Sequence, residues 1–166
     1  MAEHSGFEEF YTGTRHRLIM YLYAMTGDRA EAQDAAQEAY VRAWQRWSTV
    51  SSYDNPEAWV RTVGQRLCLN HWRKARNRIG AYLRHGTGPD ADPPSENTVA
   101  LISALKQLSV AERQAVAMHH LMDLSVAEVA AQTGVPVNTI KTRLARGRRA
   151  LAGLLDEDAP EEYAHA

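Results

Sequence analysis

Cysteine is almost absent from this chain of 166 residues, which contains a single one, Cys68. One cysteine cannot form an internal disulfide, and no group of cysteine and histidine residues has the spacing of a zinc site. The sequence therefore excludes a disulfide scaffold and a zinc module. We expect Cys68 to be a small apolar residue buried in the protein.

Long apolar runs are missing too. The amino-terminal stretch MAEHSGFEEF has neither the basic start nor the apolar centre of a secretory signal. No apolar run approaches the roughly 18 residues that a membrane-spanning helix needs. We therefore expect a cytoplasmic protein that does not contact a membrane. The content of 45% hydrophobic and 23% charged residues is typical of a folded globular protein.

The sequence also lacks catalytic motifs. It contains no glycine-rich phosphate loop, no nucleophile elbow and no paired ligands at metal spacing. The candidate catalytic residues of an enzyme would be His71, the pair His119 and His120, and acidic residues such as Asp123. The histidine pair is better explained as helix surface or interhelix packing. We expect no catalysis, no cofactor and no metal.

The net charge of −1 hides an uneven distribution of charge along the chain. Residues 61–84 contain seven Lys or Arg and no carboxylate, and residues 136–151 contain five more, again without Asp or Glu. Closely spaced cations of this kind are typical of segments that contact nucleic-acid phosphates. The alternative interpretation is two solvated helix faces.

A linker is predicted at residues 80–97, GAYLRHGTGPDADPPSEN, where helical periodicity stops and three Gly and three Pro accumulate. Fully extended, this segment could span about 60 Å. No strand pattern persists elsewhere, so we predict an all-α protein of two small helical domains, residues 1–79 and 98–155, followed by an acidic tail at 156–166.

The first domain is predicted to be a small bundle of helices. A first amphipathic helix has apolar residues at spacings of three, four and seven, namely Phe7, Phe10, Tyr11, Leu18, Tyr21, Leu22 and Met25. After a break at Gly27 and Asp28, a second helix from about 29 to 47 is expected to bury Ala36, Tyr40, Ala43, Trp44 and Trp47. Asn55 and Pro56 are suited to start a third helix that buries Trp59, Val60, Val63 and Leu67.

The second domain has the pattern of a helix-turn-helix. Ser109 and Ser125 are each followed three residues later by Glu, which predicts two capping boxes. A turn at residues 133–135 then precedes a longer helix that begins at Pro136. On a helical wheel, Ile140, Leu144, Gly147, Leu151, Leu154 and Leu155 form the buried side. The opposite side is polar and cationic, with Asn138, Thr139, Thr142, Arg146 and Arg149 at its centre and Lys141, Arg143 and Arg148 along its flanks.

Three segments resemble the sigma-70 family of initiation factors for bacterial RNA polymerase, in its small extracytoplasmic-function (ECF) type. GDRAEAQDAAQEAYVRAWQRW (27–47) is similar to the family's polymerase-binding helix, and PEAWVRTVGQRLCLNHWRKARNR (56–78) to its helix for the minus-10 promoter element. Residues 108–151, which include GVPVNTIKTRLARGRRAL, resemble the domain that reads the minus-35 element.

The resemblance implies a promoter-specificity factor that binds core RNA polymerase, at the beta-prime clamp helices and the beta flap, together with promoter DNA. Many members are held inactive by an anti-sigma protein, and the sequence leaves open whether this chain has such a partner. The residues that would bind the clamp helices are Asp34, Gln37, Glu38, Arg42 and Trp44.

For DNA, the resemblance implies a pocket for a flipped base in the loop 48–55 and a basic track along the third helix. The residues expected at the minus-10 element are Ser51, Ser52, Tyr53, Arg61, Arg66, Asn70, Trp72 and Arg73. The family usually has Asn at the position of Arg66, and often an acidic residue at that of Asn70. The residues expected at the minus-35 element are Asn138, Thr139, Lys141, Thr142, Arg143, Arg146 and Arg149.

A stand-alone helix-turn-helix activator or repressor is the alternative, because its DNA-binding domain can look much like residues 109–155. Such a protein needs a sensing or dimerising amino-terminal half. Residues 1–79 instead offer a second basic helix with interspersed aromatic residues, which favours the initiation factor.

Overall fold

The computed structural model describes the backbone of residues 4–77 and 93–157 and the side chains of 4–70 and 93–156. Its regular elements in these ranges are helices, and no strand occurs in them. The chain divides into two compact units, residues 1–91 and 92–166. The predicted all-α class with two helical domains is therefore confirmed.

Within residues 4–77, the first unit forms the helices α1 (Phe7–Thr26), α2 (Arg29–Gln45), α3 (Trp47–Val50) and α4 (Pro56–Asn77). The predicted second helix thus ends two residues early, because α3 starts a separate short turn at Trp47.

Local sequence signals explain the helix ends in this unit. Gly27 follows α1 with a φ of 72° and donates its N–H to the carbonyl of Tyr23 at 2.8 Å, the conformation for which glycine is favoured. The side chain of Asp28 accepts the backbone N–H of Glu31 and caps α2. Asn55 caps α4 in the same way, because its side-chain oxygen accepts the N–H of Ala58 at 2.9 Å.

The centre of the first unit is formed where α1 packs on α2 and α4. Leu18, Tyr21 and Leu22 of α1 are almost fully buried. Alanines dominate the buried side of α2, and small side chains let neighbouring helices approach closely. The Tyr40 hydroxyl lies 2.7 Å from Oγ1 of Thr14, and burial raises the pKa of Tyr40 to about 12.

The predicted burial is confirmed for Tyr40 and Trp47 but is wrong for Trp44, whose side chain is 48% exposed. The reason is geometric. Trp44 follows the exposed Val41 by three residues and the exposed Gln37 by seven, so it lies on their side of α2, beyond the edge of the buried stripe. In α4, Val60 is buried as predicted, whereas Trp59, Val63 and Leu67 are half-buried.

The described part of the second unit, residues 93–157, forms the helices α5 (Glu96–Lys106), α6 (Val110–His120), α7 (Val126–Thr133) and α8 (Val137–Glu157). Because α5 starts at Glu96, the last two residues of the predicted linker 80–97 are helical. Residues 80–92 of that linker, and 158–166 of the predicted tail, lie outside the described residues. The exact domain boundaries therefore stay predictions.

Serines begin three of these helices. The capping box predicted at Ser125 is complete, since its hydroxyl accepts the N–H of Glu128 and the Glu128 carboxylate accepts the N–H of Ser125 at 2.7 Å. At Ser109 one half of the predicted box forms, the bond from the N–H of Glu112. The turn after α7 passes through Gly134 with a φ of 69°, as the helix-turn-helix pattern predicts.

The buried side of α8 packs against the other helices of this unit. Ile140, Leu144 and Leu151 are buried, as predicted. Arg113 of α6 is buried as well, which the sequence did not indicate. Its guanidinium donates to the carbonyls at the end of α5, those of Leu105, Lys106 and Leu108 at 2.9, 3.0 and 3.3 Å. Arg113 therefore caps the end of α5 from a neighbouring helix.

Candidate partner and nucleic-acid interfaces

One exposed face of α2 collects the side chains predicted to bind a partner protein. All five predicted side chains are exposed, and they recur at helical spacings of three, four and seven residues, namely Asp34, Gln37, Glu38, Arg42 and Trp44. Glu38 and Arg42 pair at 2.9 Å along this face. The structure adds Val41, which is 42% exposed beside Trp44 and which sequence reasoning missed. We call these six residues the α2 face.

The segment before α1 holds Trp44 in place. The ring of His4 stacks on the Trp44 ring with 4.3 Å between centroids. The indole N–H of the next tryptophan, Trp47, donates to the carbonyl of Ser5 at 2.8 Å. Phe7 packs edge-on against Trp47. This aromatic cluster fixes the chain next to the α2 face, which gives the exposed Trp44 ring a defined position.

The loop between α3 and α4 presents three predicted residues together. Ser51, Ser52 and Tyr53 are exposed, and the Tyr53 ring is 44% exposed. Trp47 and Val50 of α3 are buried beneath the loop and anchor it to the helices. The hydroxyl of Ser52 donates to the carbonyl of Thr49 at 2.6 Å. An aromatic ring on an anchored loop is suited to stack on an unpaired base.

Arg66 and Asn70 lie four residues apart on α4 and are both exposed. Leu69, three residues after Arg66, is 53% exposed beside them. The structure thus brings two of the predicted polar side chains to one face of α4. Trp72 and Arg73 belong to α4, but their side chains lie outside the described ones.

Arg61 does not fit the predicted role, because its side chain is 4% exposed. Burial lowers the pKa of Arg61, and the nearby Tyr21 and Glu57 raise it in part. Arg61 lies three residues before Gly64 and seven before Cys68, both of which are buried. The number of basic residues in this segment gave no sign that Arg61 is buried. Its spacing of three residues from Gly64 and seven from Cys68 places it on the buried side of α4. We exclude it from the DNA surface.

The outward side of α8 carries the second group of predicted DNA contacts. Six of the seven predicted residues are exposed and Arg143 is half-buried; the exposed ones are Asn138, Thr139, Lys141, Thr142, Arg146 and Arg149. No carboxylate occurs between residues 136 and 151, so the face is cationic over this part of α8. The width of an α-helix fits the major groove of DNA, where Asn and Arg can contact base edges.

Within the ranges that the structure describes, no group of three or more His, Cys, Asp or Glu side chains is placed to hold a metal ion. None of the described helices combines the length and the apolar character needed to cross a bilayer. Cys68 is buried as predicted, and burial raises the pKa of its thiol to about 12.

Two family models match the chain. The model for Sigma-70 region 2 matches residues 10–78, which covers most of α1 through α4. The model for Sigma-70, region 4 matches residues 98–151, which runs from α5 into α8. The two matches follow the two compact units.

Proteins with similar sequences are named as RNA polymerase sigma factors. The ECF RNA polymerase sigma factor SigL of Mycobacterium tuberculosis is 34% identical over 152 residues, covering 86% of this chain and 85% of that protein. The RNA polymerase sigma-E factor of Streptomyces coelicolor is 29% identical over 159 residues, covering 95% and 88%.

A solved structure shares the fold. It is the sigma factor RpoE of Bartonella quintana in complex with the anti-sigma factor NepR, with a TM-score of 0.72 and 23% sequence identity. The similarity covers 92% of this chain and 98% of that one.

Proposed function

Since this chain belongs to the ECF sigma factors of the sigma-70 family, we propose that it directs RNA polymerase to promoters through the α2 face, α4 with its preceding loop, and α8. A sigma factor is a transcription initiation factor and not itself an enzyme, so the chemistry of RNA synthesis belongs to the polymerase. The activator or repressor alternative is not favoured, because the first unit matches Sigma-70 region 2.

The α2 face is proposed to bind core RNA polymerase at the beta-prime clamp helices. Two exposed apolar side chains, Trp44 and Val41, supply surface that can be buried, and tryptophan is enriched among residues that dominate binding energy. Around them, the ionic side chains Asp34, Glu38 and Arg42 supply orientation and faster association. The second unit would contact the beta flap.

The loop 51–53 and α4 are proposed to capture the minus-10 element. Tyr53 offers an exposed ring for stacking, and Arg66 and Asn70 offer a cation and an amide on the same side of α4. Ser51 and Ser52 complete the loop, and Trp72 and Arg73 are proposed to extend this surface towards the end of α4. Because Arg66 and Asn70 differ from the family's usual residues, we expect a distinct minus-10 preference.

The observation that carries the proposal for DNA is the cationic outward face of α8, which lies in a complete helix-turn-helix. Near the start of α8, Asn138 and Thr139 are proposed to read base edges in the minus-35 element. Lys141, Thr142, Arg143, Arg146 and Arg149 are proposed to hold phosphates or read further bases. In this proposal the basic residues supply affinity for the DNA backbone, and Asn138 and Thr139 supply selection of the base sequence.

Regulation by an anti-sigma protein is proposed from the solved relatives. RpoE of Bartonella quintana was solved in complex with the anti-sigma factor NepR, and CnrH was solved in complex with the cytosolic domain of CnrY. The proposed site of action is the cytoplasm, where RNA polymerase and promoter DNA meet.

The experiment that tests the function is transcription from a promoter library by purified core polymerase, with and without the full chain, followed by sequencing of the transcripts. We expect specific start sites that share two spaced DNA elements. The control is the Trp44→Ala variant, which should reduce initiation at all of these sites equally. If core polymerase gains no specific start site while the chain alone binds duplex DNA, the activator or repressor function replaces this one.

A further inference from the structure

A contact between α6 and α8 joins two side chains that the function proposed above does not use. The Nε–H of Arg148 donates to Nε2 of His120 at 3.2 Å. Both side chains are exposed, and no described carboxylate pairs with Arg148. The guanidinium is therefore attached to α6 at one edge while the rest of it faces solvent.

The chemistry of the donor determines the state of His120. An arginine cannot accept a hydrogen bond, so Nε2 of His120 must carry the lone pair and Nδ1 the proton. An imidazolium ring could not make this contact. Burial, the adjacent His119 and Arg148 itself lower the pKa of His120, which favours the neutral ring.

His120 is itself held by its neighbours. The rings of His119 and His120 meet edge to face with 4.8 Å between centroids. Nδ1 of His119 lies 2.7 Å from the carbonyl of Leu124, just before α7, and donates to it because a carbonyl can only accept. The end of α6 therefore provides an ordered acceptor for Arg148.

The position of Arg148 suits a phosphate. It lies seven residues after Lys141, so both lie on the same flank of α8, about 10 Å apart at 1.5 Å per residue. With Nε–H engaged by His120, the two terminal NH2 groups of Arg148 remain available. These groups can bind two oxygens of one phosphate in the bidentate manner that arginine favours.

We propose that Arg148 contacts a backbone phosphate of duplex DNA and that neutral His120 is its positioning residue. This inference rests on the proposed function. It adds Arg148 to the proposed DNA contacts of α8 and gives α6 a part in positioning that contact. His120 restricts the guanidinium to one orientation before DNA arrives, so less side-chain freedom is lost on binding.

The test uses four variants of the full chain, His120→Ala, His120→Gln, Arg148→Ala and the double variant H120A/R148A, each assembled with core polymerase. The measurement is affinity for a promoter duplex across a salt series. We expect R148A to weaken binding about tenfold and to reduce the salt slope by about 0.9, as expected for the loss of one phosphate contact. H120A should weaken binding about threefold.

Two outcomes separate positioning from a structural role. The side-chain oxygen of Gln can accept from Arg148, so H120Q should bind within about twofold of the wild type. The double variant should bind no more weakly than R148A, because His120 acts through Arg148. The inference is wrong if H120Q binds DNA as weakly as H120A, or if R148A binds it as tightly as the wild type. It is also wrong if the loss of affinity in the double variant equals the product of the two single losses.

A matched control and a second DNA target complete the design. Lys106→Ala removes an exposed cation of the same unit from α5 and should leave the salt slope unchanged. The free chain is also titrated against a nonspecific duplex at low salt, where the phosphate contact is measured without polymerase. If the wild type binds nonspecific DNA but its holoenzyme binds no promoter, the proposed function fails, and the same variants still test the His120–Arg148 pair.

Discussion

Gly147 of α8 lies directly against Val116 of α6, so closely that a Cβ atom added to the glycine would stand 2.7 Å from Cγ2 of Val116. Such a distance is well inside van der Waals contact, and either a side chain or a helix would have to move. The close approach places α8 against α6 with its cationic side outward.

We therefore predict that Gly147→Ala lowers the free energy of unfolding by about 1–3 kcal/mol, in the range of overpacked sites. Gly153→Ala is the matched control in the same helix, because nothing lies within 4 Å of a Cβ there. It should be neutral or stabilise the protein by about 0.5–1 kcal/mol through helix propensity. Urea unfolding followed by circular dichroism measures both, and equal effects of the two changes would contradict the close approach.

Trp44→Ala is predicted to weaken binding to core RNA polymerase at least about tenfold, since large aromatic residues dominate interface energies. Its effect on thermal stability should be small because the ring is 48% exposed. The measurement is a binding titration with purified core polymerase, paired with a melting curve. Val99→Ala serves as a control of similar exposure, 47%, in the second unit. Equal loss of affinity in both variants would argue against the α2 face.

Alanine substitution is predicted to affect stability at Arg61 and transcription initiation at Arg66. Arg61→Ala removes a buried side chain and should lower the free energy of unfolding by about 1–3 kcal/mol. Arg66→Ala removes an exposed one and should leave stability within about 0.5 kcal/mol while reducing initiation. Tryptophan fluorescence during unfolding and transcription from a cognate promoter distinguish the two. A stable R61A variant with defective DNA binding would restore Arg61 to the DNA surface.

The capping box at α7 predicts a pH dependence of the second unit. Hydrogen bonds from Ser125 lower the folded pKa of Glu128 below its ordinary value of 4.5. A depressed carboxyl pKa contributes stability that is present above the unfolded value and is lost as the pH falls through the folded value. We expect Glu128→Ala to lower the melting temperature at pH 7 and to have a smaller effect near pH 3. A difference that stays constant between these pH values would contradict the contribution of the ionised cap.

Much of the fold could be predicted because its signals are local. Gly27 and Asp28 end one helix and cap the next, Asn55 and Pro56 start α4, and Ser125 with Glu128 starts α7, all within three or four residues of one another. The outward face of α8 was also predictable, since the buried residues recur at spacings of three and four along a single helix.

The candidate sites were less predictable where they depend on which side of a helix meets its neighbours. The basic block of α4 was recognised, but Arg61 lies on the buried side and Arg66 on the exposed side. Likewise Trp44 and Trp47 are three residues apart in sequence, yet one is exposed and the other buried. Val41 was overlooked because an isolated valine in a helix gives no signal of exposure.

The amino-acid sequence by itself determined that the protein is helical, where several of its helices begin, and to which family it belongs. Helix periodicity, caps and motif spacing are properties of neighbouring residues, so they can be read along the chain. Only the tertiary structure decided that Arg61 is buried, that Trp44 is exposed and that His120 meets Arg148, which is 28 residues away. Those facts depend on the packing of one helix on another, and packing is determined by the whole set of contacting side chains.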